Sequence, residues 1–202
     1  MKKIAAVVLA AGRSSRFGSC KALALINDRP LIESAIEAAK TATPDVFVAT
    51  GYWHNELAQA AQDNAWNARL LFIENWQSGM GDVIASVTNT LGDDYEAILF
   101  LLADQPAITG DNIALLCQVY ERHNSDAACC KYPDTIGVPA IISANVFSEL
   151  KALQGDHGAK ALLMDKAHLI DKLVLDQCNI DIDTQEDLDN YVHYLNNMSS
   201  YW

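Results

Sequence analysis

The sequence lacks several features by which whole classes of protein are recognised. Its five cysteines form no CxxC pair and are odd in number, which argues against a disulfide framework or structural zinc and favours a reducing compartment. No apolar run approaches the roughly 18 to 20 residues that a membrane helix needs. The apolar segment Ile4–Ala10 is too short for a signal peptide. We therefore predict a cytoplasmic protein with no membrane partner.

Cations are also scarce. Lys and Arg number 14 against 26 Asp and Glu, which gives a formal charge of −12. An acidic body repels a polyanion along most of its surface, so we expect no nucleic-acid partner. The cations are unevenly placed, however, because the first 21 residues contain no acid and carry Lys2, Lys3, Arg13, Arg16 and Lys21. This local excess predicts a site for a small phosphorylated ligand.

The common phosphate-binding and hydrolase motifs are missing. The Walker pattern GxxxxGK[ST] fails because Gly12 and Gly18 are six residues apart and Lys21 follows Gly18 by three. The dinucleotide pattern GxGxxG fails because Ser14 and Ser15 stand where glycines are needed, which disfavours a nicotinamide-dependent oxidoreductase. Neither GxSxG nor HExxH occurs, so serine hydrolases and zinc proteases lack support.

The sequence does contain strand and helix patterns in alternation. Short apolar segments without alternation are typical of strands buried on both faces, and they occur at Ile4–Ala10, Val46–Thr50, 70–73 and Ala97–Leu102. Helical patterns occur between and after them at 31–41, 55–64, 82–91 and 112–122. This order predicts a three-layer α/β domain with a mostly parallel central sheet and right-handed crossovers.

In the second half of the chain, the predicted strands and helices no longer alternate regularly, but no change of composition marks a domain boundary. Further strands are predicted at Ala127–Lys131, 139–142, 172–175 and 179–182, and further helices at 144–153 and 185–195. A length of 202 residues fits one domain. We predict a single domain over residues 1–202 with a flexible tail at 196–202.

The first candidate site is the stretch LAAGRSSRFGSCK, residues 9 to 21. It follows the first predicted strand, and ligands of open parallel sheets bind beyond the carboxyl ends of the strands. Ala10, Ala11 and Gly12 are small enough for a base or sugar to approach the backbone closely. Arg16 and Lys21 can converge with Arg13 on phosphate oxygens. The alternative is a solvated loop whose arginines pair with neighbouring acids.

Two acidic stretches supply candidate metal ligands. In LLADQPAIT, residues 101 to 109, Asp104 directly follows an apolar strand, and one Asp beside phosphate oxygens can suffice for Mg²⁺. In IDIDTQED, residues 180 to 187, Asp181 and Asp183 alternate with isoleucines and would share one strand face, with Asp181 preferred as the second ligand. The alternatives are an Asx-turn at Asp104 and a helix start at Asp183.

Two glycine-containing stretches are candidates for an acceptor site. NWQSGMGDVIASV, residues 75 to 87, places Gly79 and Gly81 before a helix whose N-terminus could bind an anion. LQGDHGAKALL, residues 153 to 163, encloses Asp156 and His157 between two glycines. Turn formation alone could account for either stretch.

Taken together, these motifs resemble the MobA-like NTP transferase family. The resemblance extends over nearly the whole chain and rests on the order and spacing of Leu9-Ala10-Ala11-Gly12 with Arg16, Gly18 and Lys21, Asp104-Gln105-Pro106, Gly137-Val138-Pro139, Gly155-Asp156 with Gly158-Ala159, and Asp181-Ile182-Asp183-Thr184. Within the family the LAAG loop is most similar to molybdenum cofactor cytidylyltransferases. The guanylyltransferase branch usually has LAGG, from which Ala11 departs, and Gln185 stands where the family commonly has proline.

The resemblance implies a Rossmann-like nucleotidyltransferase fold and a Mg²⁺-dependent reaction. In that reaction a nucleoside monophosphate passes from an NTP, preferably CTP, to a phosphorylated acceptor such as molybdopterin, and pyrophosphate is released. The implied catalytic residues are Lys21, Arg16 and Asp104, and the implied metal ligands are Asp104 and Asp181. Nucleotide contacts are expected from Leu9, Ala10, Ala11, Gly12, Arg13, Ser14, Gly79 and Asp104. Acceptor contacts are expected from Gly137, Pro139, Gly155, Asp156, His157 and Gly158.

Two other functions stay open from the sequence. A nucleotidylyltransferase for a sugar phosphate or another small phosphorylated molecule would share these motifs and differ in its acceptor. A non-catalytic carrier of the molybdenum cofactor would bind the pterin without making pyrophosphate. Delivery of the cofactor would add a transient contact with a molybdoenzyme.

Overall fold

Strands and helices alternate along the chain in the computed structural model, which describes residues 3–133, 135–164 and 168–199. The strands are β1 (Ile4–Ala10), β2 (Leu25–Ile26), β3 (Arg29–Pro30), β4 (Val46–Thr50), β5 (Arg69–Phe72), β6 (Ala97–Leu102), β7 (Ala127–Lys131), β8 (Ile136–Ser143) and β9 (Ile170–Val174). The α-helices are α1 (Leu31–Lys40), α2 (His54–Asp63), α3 (Met80–Leu91), α4 (Gly110–His123), α5 (Phe147–Lys151), α6 (Lys160–Met164) and α7 (Gln185–Ser199).

The central sheet has seven strands in the order β5-β4-β1-β6-β8-β7-β9. β1 pairs in parallel with β4 and β6, and β4 pairs in parallel with β5. β8 runs antiparallel to β6 and β7, whereas β9 is parallel to β7. The sheet is therefore mostly parallel, as predicted. Leu9 is in register with Leu102, so the loops that follow β1 and β6 begin side by side.

Apolar layers cover both faces of the sheet, which explains why the central strands are apolar without alternation. Val8 packs in one layer with Ile36 of α1 and Leu116 of α4. Its neighbour Val7 packs in the opposite layer, with Val87 of α3. Burial of successive side chains on opposite faces is the usual condition of a parallel strand between two helical layers. The predicted three-layer α/β architecture is confirmed.

The strand predicted at 179–182 is wrong. Asn179 ends a short 3₁₀ turn, and residues 180–183 are irregular. The N–H of Ile182 donates to the carbonyl oxygen of Asp104 at 2.9 Å, and the Ile182 side chain is buried beside Leu31 and Leu188. This segment therefore bonds to a loop instead of a strand, and Asp181 and Asp183 share no strand face.

Other boundaries also differ from the prediction. The helix predicted at 144–153 consists of a 3₁₀ turn, Ala144–Val146, followed by α5, and the strand predicted at 172–175 is β9. Helix α7 continues beyond Leu195, and residues 200–202 of the predicted flexible tail lie outside the described residues. The five cysteines are free thiols, as predicted. Within the described ranges, no helix has the length and apolarity needed to cross a membrane.

Adjacent leucines on α4 provide a test of this packing. Leu116 is fully buried, whereas Leu115 is 42% exposed. We expect Leu116→Ala to lower the free energy of unfolding by about 2–5 kcal/mol because it leaves a cavity between helix and sheet. Leu115→Ala, the matched control, is expected to change it by less than about 0.5 kcal/mol. Urea unfolding followed by circular dichroism measures both, and equal losses would contradict the assigned orientation of α4.

Candidate functional site

A cavity of about 520 Å³ opens at the carboxyl ends of β1 and β6. The loop after β1 forms one wall, and Asp104 enters from the loop after β6. Eleven of the predicted site residues line it: Leu9, Ala10, Ala11, Gly12, Arg13, Ser14, Arg16, Lys21, Gly79, Asp104 and Asp156. The structure thus gathers the predicted nucleotide loop and the predicted strand-end carboxylate in one place.

Lys21 is the centre of the charged part of this cavity. Its Nζ lies 2.6 Å from Asp104 Oδ2 and 3.0 Å from Asp183 Oδ1. Arg16 Nη1 contacts the other oxygen of Asp183 at 3.0 Å. Burial by itself lowers the pKa of Lys21, but the two carboxylates outweigh burial and leave that pKa raised. Lys21 is therefore a cation at neutral pH.

The carboxylate of Asp104 has a second oxygen that fits a metal ion. Oδ1 is buried and has no hydrogen-bond partner among the described residues. A buried carboxylate oxygen without a partner is costly, and a bound cation removes that cost. Asp104 and Asp183 already share one positive charge, the Lys21 ammonium. Mg²⁺ commonly takes one or two carboxylates with phosphate oxygens and waters, so this pair fits such an ion.

Asp183, rather than the preferred Asp181, contacts Lys21. Asp181 is exposed, yet its pKa is raised, first by partial desolvation and then by the charges of Asp104 and Asp183. It lies close enough to those carboxylates to be affected by both. Its role as a metal ligand stays a prediction, whereas Asp183 is the carboxylate that the fold brings to the shared cation.

Local turns of the β1 loop bring Lys21 back toward β6. The carbonyl of Ser14 accepts hydrogen bonds from the N–H groups of Phe17 and Gly18, both at 3.0 Å. Gly18 has φ +82°, a left-handed conformation that glycine adopts without strain. A 3₁₀ turn at Lys21–Leu23 follows and buries Ala22. The glycine and serine residues of this loop are therefore spaced so that its turns can form.

Aromatic side chains form another wall of the cavity. Trp53 and Trp76 line it, and the Trp53 indole N–H donates to the Arg13 carbonyl at 3.0 Å. Tyr52 contacts both tryptophans edge-on, and the Arg13 guanidinium lies 5.1 Å from the centre of the Tyr52 ring. A Cβ at Gly51 would lie 2.5 Å from both Trp76 Cγ and the Ala11 carbonyl oxygen.

Trp53, Trp76, Gln77 and Met80 line the cavity without having been predicted as site residues, and Asp183, the less favoured of the two candidate aspartates, lines it as well. A usable signal was the position of Gly51-Tyr52-Trp53 directly after the β4 strand, because β4 neighbours β1 in the sheet. Residues after neighbouring parallel strands meet at one edge.

The two glycine-containing stretches pack against each other. Gly81 N–H donates to the Gly155 carbonyl at 2.8 Å, and Gly155 N–H donates to Asp82 Oδ2 at 2.7 Å. A Cβ at Gly79, which has φ +125°, would lie 2.3 Å from the carbonyl carbon of Gly155. Both stretches thus form one unit, which places Asp156 in the cavity wall.

The remaining predicted acceptor residues lie outside the cavity lining. Gly137 and Pro139 belong to β8, where Gly137 faces the ring of Tyr132. Gly155, His157 and Gly158 pack around the start of α3. Their role in acceptor binding stays a prediction.

Comparison with known protein families gives a direct match. A model of the MobA-like NTP transferase domain matches residues 6–171. The chain belongs to the MobA-like NTP transferase family. Members of this family are nucleotidyltransferases, and the fold of this MobA-like protein is the Rossmann-like fold of that class.

Curated relatives with two different names match part of the chain. A probable molybdenum cofactor guanylyltransferase of Geobacillus sp. (strain WCH70) is 30% identical over 132 residues, 65% of this chain and 65% of the relative. The bifunctional protein GlmU of Desulfotalea psychrophila is 26% identical over 165 residues, 76% of this chain and 47% of GlmU. The chain therefore spans less than two thirds of either curated relative.

A solved structure covers more of this MobA-like protein. The complex of Rv0371c from Mycobacterium tuberculosis H37Rv with manganese superposes with a TM-score of 0.77 at 25% identity. The match covers 95% of this chain and 98% of that one. The fold is therefore shared over nearly the whole length of both proteins.

Two glycines of the cavity give opposite predictions. A methyl at Gly79 meets backbone, so we expect Gly79→Ala to destabilise the protein by about 1–3 kcal/mol. A methyl at Gly12 has no neighbour within 4 Å, so Gly12→Ala should fold normally but obstruct a nucleotide at the cavity wall. We expect its nucleotide affinity to fall about tenfold. Thermal unfolding and nucleotide titration test both, and normal nucleotide binding by Gly12→Ala would argue against close approach at this loop.

Proposed function

We propose that this protein transfers a nucleoside monophosphate from an NTP to a phosphorylated acceptor and releases pyrophosphate. The observation that carries the proposal is the cluster of Lys21, Arg16, Asp104 and Asp183, which lies at the carboxyl ends of parallel strands in one cavity with the β1 loop. Cations in this position suit the triphosphate, and small residues beside them suit the ribose and base.

The proposed reaction is an in-line displacement at the α-phosphorus. An oxygen of the acceptor phosphate forms the new bond to the α-phosphorus. The bond between the α-phosphorus and the oxygen of the leaving pyrophosphate breaks at the same time. A phosphate oxygen is already an anion, so no strong base is required. Lys21 and Arg16 balance the charge that grows on the pyrophosphate. Catalysis then comes from positioning and electrostatic stabilisation.

Asp104 and Asp183 are the residues that would hold a divalent cation, which we propose is Mg²⁺. When bound, the cation neutralises phosphate charge. Lys21, which pairs with both carboxylates in this structure, would then be available to contact the phosphates. The manganese in the Rv0371c complex supports the use of a divalent ion.

The aromatic wall suits a flat base. Trp53 and Trp76 line the same cavity as the cations, and base–aromatic stacking combines with a charged groove in many nucleotide-binding sites. We propose CTP as the preferred nucleotide because the loop reads LAAG, with Ala11 where the guanylyltransferase branch usually has glycine. The named guanylyltransferase relative makes GTP the competing choice.

For the acceptor we propose molybdopterin, which the LAAG loop and the name of the guanylyltransferase relative support. A transient contact with a molybdoenzyme that receives the product would follow. A sugar phosphate is the second candidate acceptor, since a nucleotidylyltransferase for such a molecule would share the same motifs. A cytoplasmic location, in keeping with the five free thiols, stays part of the proposal.

Pyrophosphate release tests the function directly. The assay takes CTP, GTP and ATP in turn, with Mg²⁺, and compares reduced molybdopterin, a sugar 1-phosphate and no acceptor. Release that requires molybdopterin and favours CTP supports the full proposal. Release with a sugar phosphate alone favours the second candidate. Tight molybdopterin binding with no release from any NTP would instead indicate the carrier function.

The charged cluster gives a mutational prediction. We expect Asp104→Asn and Lys21→Met each to lower kcat/KM about a hundred- to a thousandfold, because each removes a charge that acts on the phosphates. Lys40→Met is the matched control, since Lys40 pairs with Glu37 on α1. Steady-state kinetics of the identified reaction measure all three. Losses in the control as large as those in Lys21→Met would point to a general effect of charge.

The aromatic wall gives a second mutational prediction. We expect Trp53→Leu to weaken NTP binding roughly tenfold through lost stacking. Binding of inorganic tripolyphosphate, which has no base, should stay unchanged. Calorimetric titration of both ligands makes the comparison. Equal weakening for both would show that Trp53 acts through the loop that it anchors at Arg13 rather than on the base.

A further inference from the structure

The segment that carries Asp183 has no regular secondary structure, so its position depends on individual contacts. Residues 180–183 follow a 3₁₀ turn and precede α7. The Ile182 N–H donates to the Asp104 carbonyl at 2.9 Å, and the Ile182 side chain is buried. On the other side, the Cys178 carbonyl accepts a hydrogen bond from Gln105 Nε2 at 3.1 Å. The contacts to Asp104 and Gln105 therefore tie this segment to the loop after β6.

The amide of Gln105 is a buried junction. The side chain is 3% exposed, and its Nε2 donates to the Tyr132 hydroxyl at 2.9 Å as well as to the Cys178 carbonyl. The Tyr132 hydroxyl in turn donates to the Val138 carbonyl at 2.5 Å. Both N–H bonds of the amide are thus used, whereas its Oε1 is buried without a hydrogen-bond partner among the described residues. The Gln105 side chain also bonds to Asp181 in the same segment, and this bond partly offsets the desolvation that raises the pKa of that carboxyl. Gln105 links the loop after β6 to the Asp183 segment and to the β7–β8 hairpin.

Gln105 is not among the described residues that line the cavity. Its neighbour Asp104 does line the cavity, as does Asp183 at the far end of the segment that Gln105 holds. The contact of Asp183 with Lys21 is a 3.0 Å hydrogen bond, which a shift of about 1 Å would break.

We propose that Gln105 is a positioning residue that sets Asp183 against Asp104 so that both carboxylates can share one cation. The proposal rests on the proposed function in treating that cation as the divalent ion of an NTP site. It assigns to the middle residue of Asp104-Gln105-Pro106 a role that acts through the backbone of Cys178 and not through substrate.

Two variants separate this role from general packing. Gln105→Met keeps a side chain of similar length but removes the hydrogen bonds of the amide, those to Tyr132, Cys178 and Asp181. Tyr132→Phe, the matched control, removes a hydroxyl from the same junction and leaves the bond between Gln105 and Cys178. Hydrogen exchange of the peptide covering residues 178–187 should be at least about tenfold faster in Gln105→Met at the Ile182 amide, and close to wild type in Tyr132→Phe.

Metal binding gives the second readout. Mn²⁺ titration followed by electron paramagnetic resonance should show a Kd raised about tenfold in Gln105→Met and in Asp183→Asn. The double variant should be no weaker than Asp183→Asn alone, because both changes remove the same ligand from its place. Effects that multiply in the double variant would overturn the proposal.

The exchange experiment decides the proposal even if the function is different. Unchanged exchange at Ile182 in Gln105→Met would overturn the positioning role whatever reaction the protein performs. Failure of the wild-type protein to bind Mn²⁺ or to release pyrophosphate would contradict the proposed function and leave the exchange result valid. Thermal unfolding of each variant checks that any change is confined to this segment.

Discussion

A partly buried ammonium held between two carboxylates is the interaction on which this site depends. Lys21 meets Asp104 and Asp183 although they lie 83 and 162 residues away in the sequence. A charge withdrawn from water is costly unless it is paired with good geometry. If either carboxylate were removed, the cost of burying the Lys21 ammonium would be less well compensated by the carboxylate that remains. Three loops from distant parts of the chain are therefore joined at one point.

The sheet makes this meeting possible. β1 and β6 are adjacent and parallel, so the loop with Lys21 and the loop with Asp104 leave the sheet at the same edge. Asp183 arrives differently, on an irregular segment bonded to the β6 loop. Trp53, Trp76 and Gly79 also line the cavity, and close packing at Gly51 and Gly79 leaves no room for a side chain there. Charged and aromatic side chains thus line the same cavity, which is the basis for proposing a triphosphate and a base as its occupants.

Much of this arrangement could be predicted from the sequence, because strands buried on both faces leave apolar runs that do not alternate. The runs at Ile4–Ala10 and Ala97–Leu102 gave the central strands, and their ends gave the β1 loop and Asp104. The antiparallel direction of β8 could not be predicted, since an apolar run has no direction. The alternation of Asp181 and Asp183 with isoleucines predicts a strand and favours Asp181, whereas a long-range hydrogen bond from Ile182 fixes that segment and Asp183 is the carboxylate that meets Lys21. Trp53 joins the site through the pairing of β4 with β1, and Trp76, which follows β5, through the further pairing of β5 with β4.

The most direct measurement is a crystal structure with Mn²⁺ and a non-hydrolysable CTP analogue, in which anomalous scattering locates the metal. We expect a manganese peak bound to Asp104 Oδ1 and the Asp183 carboxylate. We also expect Lys21 Nζ on a phosphate oxygen and the base against Trp53 or Trp76. Lys21 still bonded to both carboxylates, with the nucleotide bound outside this cavity, would contradict the proposed site.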